Sequence, residues 1–140
     1  MRAVIDTNVL IRALMNPDGA WGRVTSRYRE YTQVMSPPLI KELLRVARQP
    51  RLTKRFGPGG QQAAIDRVLE IADRAHVVTP VTTPPVCRDA NDDIFFACAV
   101  AGRADYIVSE DEDVLAVAEY EGVRTIRTAA FLRLLDEAAR

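Results

Sequence analysis

The 140-residue chain is predicted to fold as one α/β domain of three layers, a parallel sheet of four to five strands with helices on both faces. Three observations predict this. Short apolar runs of strand length alternate with longer stretches of helical periodicity from one end of the chain to the other. The connections between them are short, as in successive strand–helix–strand units. The run Ile94 to Ala101 is apolar at every position, so a helix there has no polar side to offer to water and belongs inside the protein.

Taken in order, Arg2 to Ile5 reads as a buried first strand, and Asp6-Thr7-Asn8 opens a helix with apolar Val9, Leu10, Ile11, Ala13 and Leu14. Asn16-Pro17-Asp18-Gly19 is a turn. Ala20 to Tyr31 reads as a second, more polar helix and Gln33 to Met35 as a strand. Ser36-Pro37-Pro38 then starts a helix, with Ser as cap and Pro in the first turn. Along Pro38 to Gln49, Leu39, Ile40, Leu43, Leu44, Val46 and Ala47 form the inward stripe, and Lys41, Arg45 and Arg48 lie opposite. Glu42 falls between Leu39 and Val46 on the border of the buried stripe, where a lone carboxylate needs a partner. Gly57-Pro58-Gly59-Gly60 lacks the Gly-Lys-Ser/Thr ending of a phosphate-binding loop and reads as a turn. Residues 61 to 75 form an amphipathic helix, His76 to Val78 a short strand, and Thr79 to Pro85 an extended connector. Beyond the apolar helix, Gly102 is its stop and Asp105 to Val108 the next strand. Val114 to Tyr120 is a helix closed by Gly122, Val123 to Ile126 a last strand and Thr128 to Ala139 a last helix.

Apolar residues make up 48% of the chain and charged ones 27%, an ordinary balance for a soluble domain. No apolar run has the length to span a bilayer, and the start lacks the apolar core of a signal peptide, so the expectation is a cytoplasmic protein without a membrane partner. Cys87 and Cys98 are expected to be free thiols, and His76 has no acid or Ser nearby to orient it for catalysis. The net charge of zero hides a split. Residues 1–60 hold 11 Lys/Arg against 4 Asp/Glu, a balance of +7, and residues 61–140 hold 8 against 15, a balance of −7. A basic surface beside an acidic pocket suits a polyanion cleaved with the help of a metal ion; the plainer reading is two halves that neutralise each other.

The acids carry the functional signal. Asp89, Asp92 and Asp93 crowd the mouth of the apolar helix, where carboxylates repel one another and resist losing water. Asp6 and Asp111 follow strands, and in an open parallel sheet ligands collect outside the carboxyl ends of the strands. With Asp93 and Glu42 these two can face one crevice. Oxygen ligands of this kind suit Mg²⁺ or Mn²⁺, whereas a single His and no paired Cys motif make a zinc site a poor fit. Helix capping explains Asp6, Asp92 or Asp93, and Asp111 one at a time. It explains neither Glu42 on its buried border nor the doubling of Asp92 and Asp93. Asn8 and Ser109 are supporting residues, Asn8 for the first helical turn and Ser109 either bonding a carboxylate or simply ending its strand. Arg45, Arg48, Arg51 and Lys54 are candidate phosphate contacts, although helical Arg stripes are commonly solvated faces.

Four segments resemble the PIN domain family, in particular its small bacterial VapC-type toxins. They are Val4-Ile5-Asp6-Thr7-Asn8-Val9-Leu10, Ser36-Pro37-Pro38-Leu39-Ile40-Lys41-Glu42-Leu43, Arg88-Asp89-Ala90-Asn91-Asp92-Asp93 with Phe96-Ala97, and Ala104 to Asp113. The resemblance implies strand order 3-2-1-4-5, Mg²⁺- or Mn²⁺-dependent endoribonuclease activity as the toxin of a type II toxin–antitoxin system, a cognate antitoxin and a homodimer. It matches Asp6, Glu42, Asp93 and Asp111 to the family's four acids, with Asp6 and Asp93 holding the metal. Asp92 competes with Asp93 for the third place and Asp113 with Asp111 for the fourth. Ser109 stands where relatives often have Thr. The implied chemistry is in-line hydrolysis of an RNA phosphodiester by a water that the ion acidifies. One rival is a phosphatase of the haloacid dehalogenase type, which needs a second Asp where this chain has Asn8. Another is a non-catalytic module whose acidic pocket receives a basic segment of a partner protein.

Overall fold

The computed structural model describes residues 1–140. At its centre lies β1 (Arg2–Ile5), paired in parallel on one side with β2 (Thr32–Met35) and on the other with β4 (Tyr106–Val108). β3 (His76–Val77) extends the sheet beyond β2, and β6 (Val123–Ile126) extends it beyond β4, both in parallel. These five strands run in the expected order. A sixth, β5 (Glu119–Tyr120), pairs antiparallel with the outer edge of β6 and completes the order β3-β2-β1-β4-β6-β5.

Period-two alternation along the strands divides the interior in two. Ala3, Ile5, Met35 and Val108 point to one side, where α1 (Thr7–Met15), α2 (Gly22–Ser26), α3 (Pro37–Ala47), α5 (Gly60–Arg74) and α8 (Thr128–Ala138) contribute to the larger core. A short helix, α4 (Pro50–Thr53), adds Leu52. Val4, Val34, Ile107 and Val123 point the other way, against α6 (Asp93–Ala101) and α7 (Glu112–Leu115). The apolar helix α6 is largely enclosed as its composition demands, with Phe95 to Ala99 buried, Ile94 half-buried and the last turn emerging at Val100 and Ala101. Its exit crosses β2 closely: a Cβ at Gly102 would lie 2.3 Å from Val34 Cγ1. Both cysteines are free, and no helix is long and apolar enough to cross a membrane.

Three local expectations are corrected. The helix read over Val114 to Tyr120 is the single turn α7, because Ala118 adopts a left-handed φ of 63° and the chain turns into β5. Glu121 (φ 47°) and Gly122 (φ 83°) then form a two-residue hairpin turn, so Gly122 closes a hairpin and not a helix. The helix read over Ala20 to Tyr31 breaks after Ser26 and resumes as a 3₁₀ turn over Tyr28–Glu30. Thr25 and Ser26 bond back to the carbonyls of Gly22 and Arg23, a competition that weakens helix interiors. Ser36 occupies the cap position of α3 without making a capping bond; its buried hydroxyl has no hydrogen-bond partner.

Candidate acidic active site

The chain order β1, β2, β3 proceeds to one side and then returns to β4 on the other, so the β1/β4 boundary is the switch point of the sheet. Asp6 leaves the tip of β1 and Ser109 the tip of β4, and the two meet there. The Ser109 hydroxyl donates to Asp6 Oδ2 at 2.6 Å and accepts from the Asp111 N–H at 3.0 Å. Asp6 Oδ1 accepts from the Asn8 N–H at 3.1 Å and so caps α1, while Asp111 Oδ1 accepts from the Asp113 N–H at 2.8 Å and caps α7. Asp6 is only 4% exposed, and burial pushes its carboxyl above the ordinary value. The bonds from Ser109 and Asn8 act the other way, and the charge of Asp111 raises it further. Two acids from adjacent strands are thus tied into one hydrogen-bonded chain through a buried serine.

Asp92 and Asp93, adjacent in sequence, have opposite surroundings. Asp93 is buried, and its Oδ1 accepts the backbone N–H groups of Val86 at 3.0 Å and Cys87 at 2.7 Å, pinning the end of the Pro-rich connector to the first turn of α6. Asp92 Oδ2 is shut off from solvent with no hydrogen-bond partner. Burial raises the Asp92 carboxyl to about 7, and repulsion from Asp111, Asp6, Asp89 and Asp113 adds to the shift. It is therefore Asp92 that shares its electrostatic surroundings with the Asp6–Ser109–Asp111 network. Asp89 stays outside on an exposed 3₁₀ turn, where its side chain accepts from the Asn91 N–H.

Glu42 shares a cavity with Asp92. It is half-buried on its expected border, but its partner is Arg45, one turn on, whose guanidinium donates to both carboxylate oxygens at 3.0 and 2.7 Å and holds the carboxyl below its ordinary value. The crevice between these groups has two lobes. The first, about 570 Å³, carries Asp6, Asp111 and Glu110 with Arg12, Arg51 and Arg55. The second, about 530 Å³, carries Glu42, Arg45, Asn91 and Asp92. Asn8, Val46, Gln49 and Arg51 border both lobes. Asp113 lines neither.

Of the basic residues singled out in the sequence, Arg45 and Arg51 reach the crevice, and Arg48 and Lys54 do not. Arg12 and Arg55 were missed. Each repeats a helical step from a residue already marked: Arg12 stands four beyond Asn8 on α1, and Arg55 four beyond Arg51.

No three Asp, Glu, His or Cys side chains converge on one point at ligand distance. The donors present are carboxylate oxygens, with amide oxygens beside them, and these fit a hard divalent cation. One observation fits a positive charge at this place: the buried Asp92 oxygen that nothing partners, surrounded by other acids.

The carboxylates gathered at the switch point of an open α/β sheet form an acidic, ligand-binding type of site. The family model for the PIN domain matches residues 2–113, and this chain belongs to the PIN domain family. It is 30% identical over 119 residues to an uncharacterised protein of Methanocaldococcus jannaschii, covering 84% of this chain and 75% of that one. Among solved structures, the fold is similar to VapBC2 of Rickettsia felis bound to a promoter DNA fragment, with TM-score 0.60 and 13% identity over 91% of this chain and 98% of the other. It is likewise similar to VapBC-1 of nontypeable Haemophilus influenzae, with TM-score 0.59 and 17% identity over 92% and 99%.

Proposed function

We propose that this protein is a Mg²⁺- or Mn²⁺-dependent endoribonuclease, the toxin of a type II toxin–antitoxin system. The observation that carries the reading is the unpartnered, buried oxygen of Asp92, whose carboxyl is raised by burial and by the charges of Asp111 and Asp6, in a PIN domain chain. Asp6, Asp92 and Asp111 would hold the ion, with Glu42 completing the site once released from Arg45. In this reading Asp92 takes the third place that the sequence resemblance gave to Asp93, because Asp93 spends one oxygen on two backbone donors. When bound, the ion would acidify a water and offset negative charge on the phosphorus being attacked. Ser109 orients the carboxylate of Asp6 and the backbone of Asp111, and Asn8 fixes the second Asp6 oxygen. Arg51, bordering both lobes, supplies a cation to the phosphate backbone.

Purified protein incubated with RNA and Mn²⁺, beside its Asp6→Asn variant, tests the reading. Cleavage that is lost with chelator and with the substitution is expected; cleavage indifferent to both would refute a metal nuclease. Association with a cognate antitoxin is favoured by the likeness to two VapBC structures. Growth arrest on expression, relieved by the product of an adjacent small reading frame, is the expected result. The partner-binding alternative predicts instead that Mn²⁺ binds and no RNA is cut.

A further inference from the structure

Away from the acids, the first lobe changes character. Its far end opens into a neighbouring cavity of about 340 Å³ with which it shares Arg12, Met15, Trp21 and Arg55. Arg12 and Arg55 are the only charged side chains lining that cavity. Neither is engaged in an ion pair, whereas Arg27, Arg45, Arg74 and Arg127 all are. Arg12 also lies over the Trp21 ring, its guanidinium carbon 4.3 Å from the ring centroid. The contact holds a flat cation against a flat aromatic at the wall between two cavities.

We propose that this cationic end is a subsite for one unpaired nucleobase of single-stranded RNA, stacked on the Trp21–Arg12 platform, with Arg55 holding the adjoining phosphate. The inference rests on the nuclease reading, which puts the scissile phosphate at the acidic end of the same lobe. A polyanion lying along the lobe then meets a cation-binding pole first and two uncompensated guanidinium groups next. The Arg12 guanidinium plane laid on the Trp21 ring offers a stacking surface to any base, because every base has a π-face, but only bases that are out of a duplex stack reach it. The subsite therefore selects unpaired RNA and tolerates sequence. Its position beyond the acids makes it a contact for a nucleotide flanking the cut.

Trp21 is the only tryptophan of the chain, so its emission reports on the subsite directly. The experiment titrates Asp6→Asn protein, which separates binding from cleavage, with a short single-stranded oligoribonucleotide and with a blunt duplex of the same sequence. Tryptophan emission is read together with anisotropy of the labelled RNA. Expected are quenching by the single strand alone and roughly 5- to 150-fold weaker binding on adding Trp21→Leu, the range of base–aromatic stacking. In the Arg55→Gln variant, the salt slope of binding should fall by about one. Arg55 is exposed, so this second variant keeps the test valid if the tryptophan change disturbs folding. The proposal is overturned if RNA binds with emission unchanged, if both variants bind as tightly as the parent, or if the duplex quenches equally. It is also overturned if an acidic peptide quenches the emission and RNA does not. Native protein that still cuts RNA after such a result leaves the nuclease reading standing, while quenching without any cutting by native protein strikes that reading alone.

Discussion

The two lobes of the crevice hold their acids in opposite ways. In the first, Asp6 and Asp111 are fixed by the protein itself: each caps a helix, and one buried hydroxyl links them across adjacent strands. In the second, Glu42 is occupied by an exposed arginine and Asp92 keeps a buried oxygen without a partner. One wall is preorganised and the other is poised to rearrange. The difference follows from where the acids sit. Strand tips are anchored by the sheet on both sides, whereas Glu42 sits in mid-helix and Asp92 ends a 3₁₀ turn.

Removing the fixed side should cost most. Asp6→Asn is expected to lower RNA cleavage in Mn²⁺ by about a thousandfold, on the order of the several kcal/mol of charge stabilisation that a bound ion supplies. Glu42→Gln, on the responsive side, should cost only about tenfold if its role is to complete the site; equal losses would erase the contrast between the walls. Ser109→Ala should fall between them, about 10- to 100-fold, as expected for a group that orients a ligand without touching the ion. Steady-state cleavage rates of the three variants, each checked for folding by circular dichroism, decide the order.

The adjacent aspartates sharpen the comparison within one turn of chain. Asp92→Asn is expected to lower activity about a hundredfold while leaving the fold at least as stable, because it removes a buried charge that lacks a partner. Asp93→Asn is expected to do the reverse. It weakens two bonds to the Val86 and Cys87 N–H groups and should cost about 1–2 kcal/mol of stability. Urea unfolding midpoints measured beside activity separate the two, and a pair of variants with matching profiles would remove the distinction drawn here.

Most of the scaffold was legible in the chain because it rests on periodicity. The buried strand Arg2 to Ile5, the apolar α6 and the acids at strand tips each follow from patterns of two or 3.6 residues. Glu42 was legible as a carboxylate on a border that needs a partner, but a pattern cannot say which partner. Arg45, three residues on, supplies it. Asp92 and Asp93 could not be ordered from sequence, since a single rotation about the helix start decides which carboxylate faces the crevice. The β5–β6 hairpin was hidden for another reason: Val114 to Tyr120 has acceptable helical composition, and only the left-handed backbone at Ala118 and Glu121 breaks it. Trp21 and Arg12 come together through the packing of α1 beside the start of α2, a tertiary contact with no spacing to betray it.

The responsive wall also predicts a pH dependence of stability in metal-free protein. Asp92 titrates at about 7 in the folded chain against an ordinary value of 3.8. A carboxyl raised in this way contributes its full stability below about pH 4, and that contribution is lost as pH rises through about 7. Asp92 is half-buried, so the screened effect is about 1–2 kcal/mol, or a fall of roughly 3–8 °C in Tm between pH 5 and pH 8. Mn²⁺ added at pH 8 should restore the loss, and Asp92→Asn should flatten the profile. A slope that survives in that variant would assign the titration to Asp6, whose carboxyl is also raised.

The smallest effect expected belongs to the Glu42–Arg45 pair. Arg45→Gln frees Glu42 without removing it, so the second wall no longer has to give up a partner when an ion binds. Exposed pairs of this kind are weak, and the change in Mn²⁺ affinity should be a gain of less than about fivefold. The direction is what discriminates. If Arg45 serves mainly to hold RNA phosphate at the rim of the second lobe, the same variant leaves Mn²⁺ affinity unchanged and raises KM for RNA. Calorimetric Mn²⁺ binding beside KM therefore separates a latch on Glu42 from a contact to the substrate, and a tighter ion site with unchanged KM is the outcome that the contrast between the two walls requires.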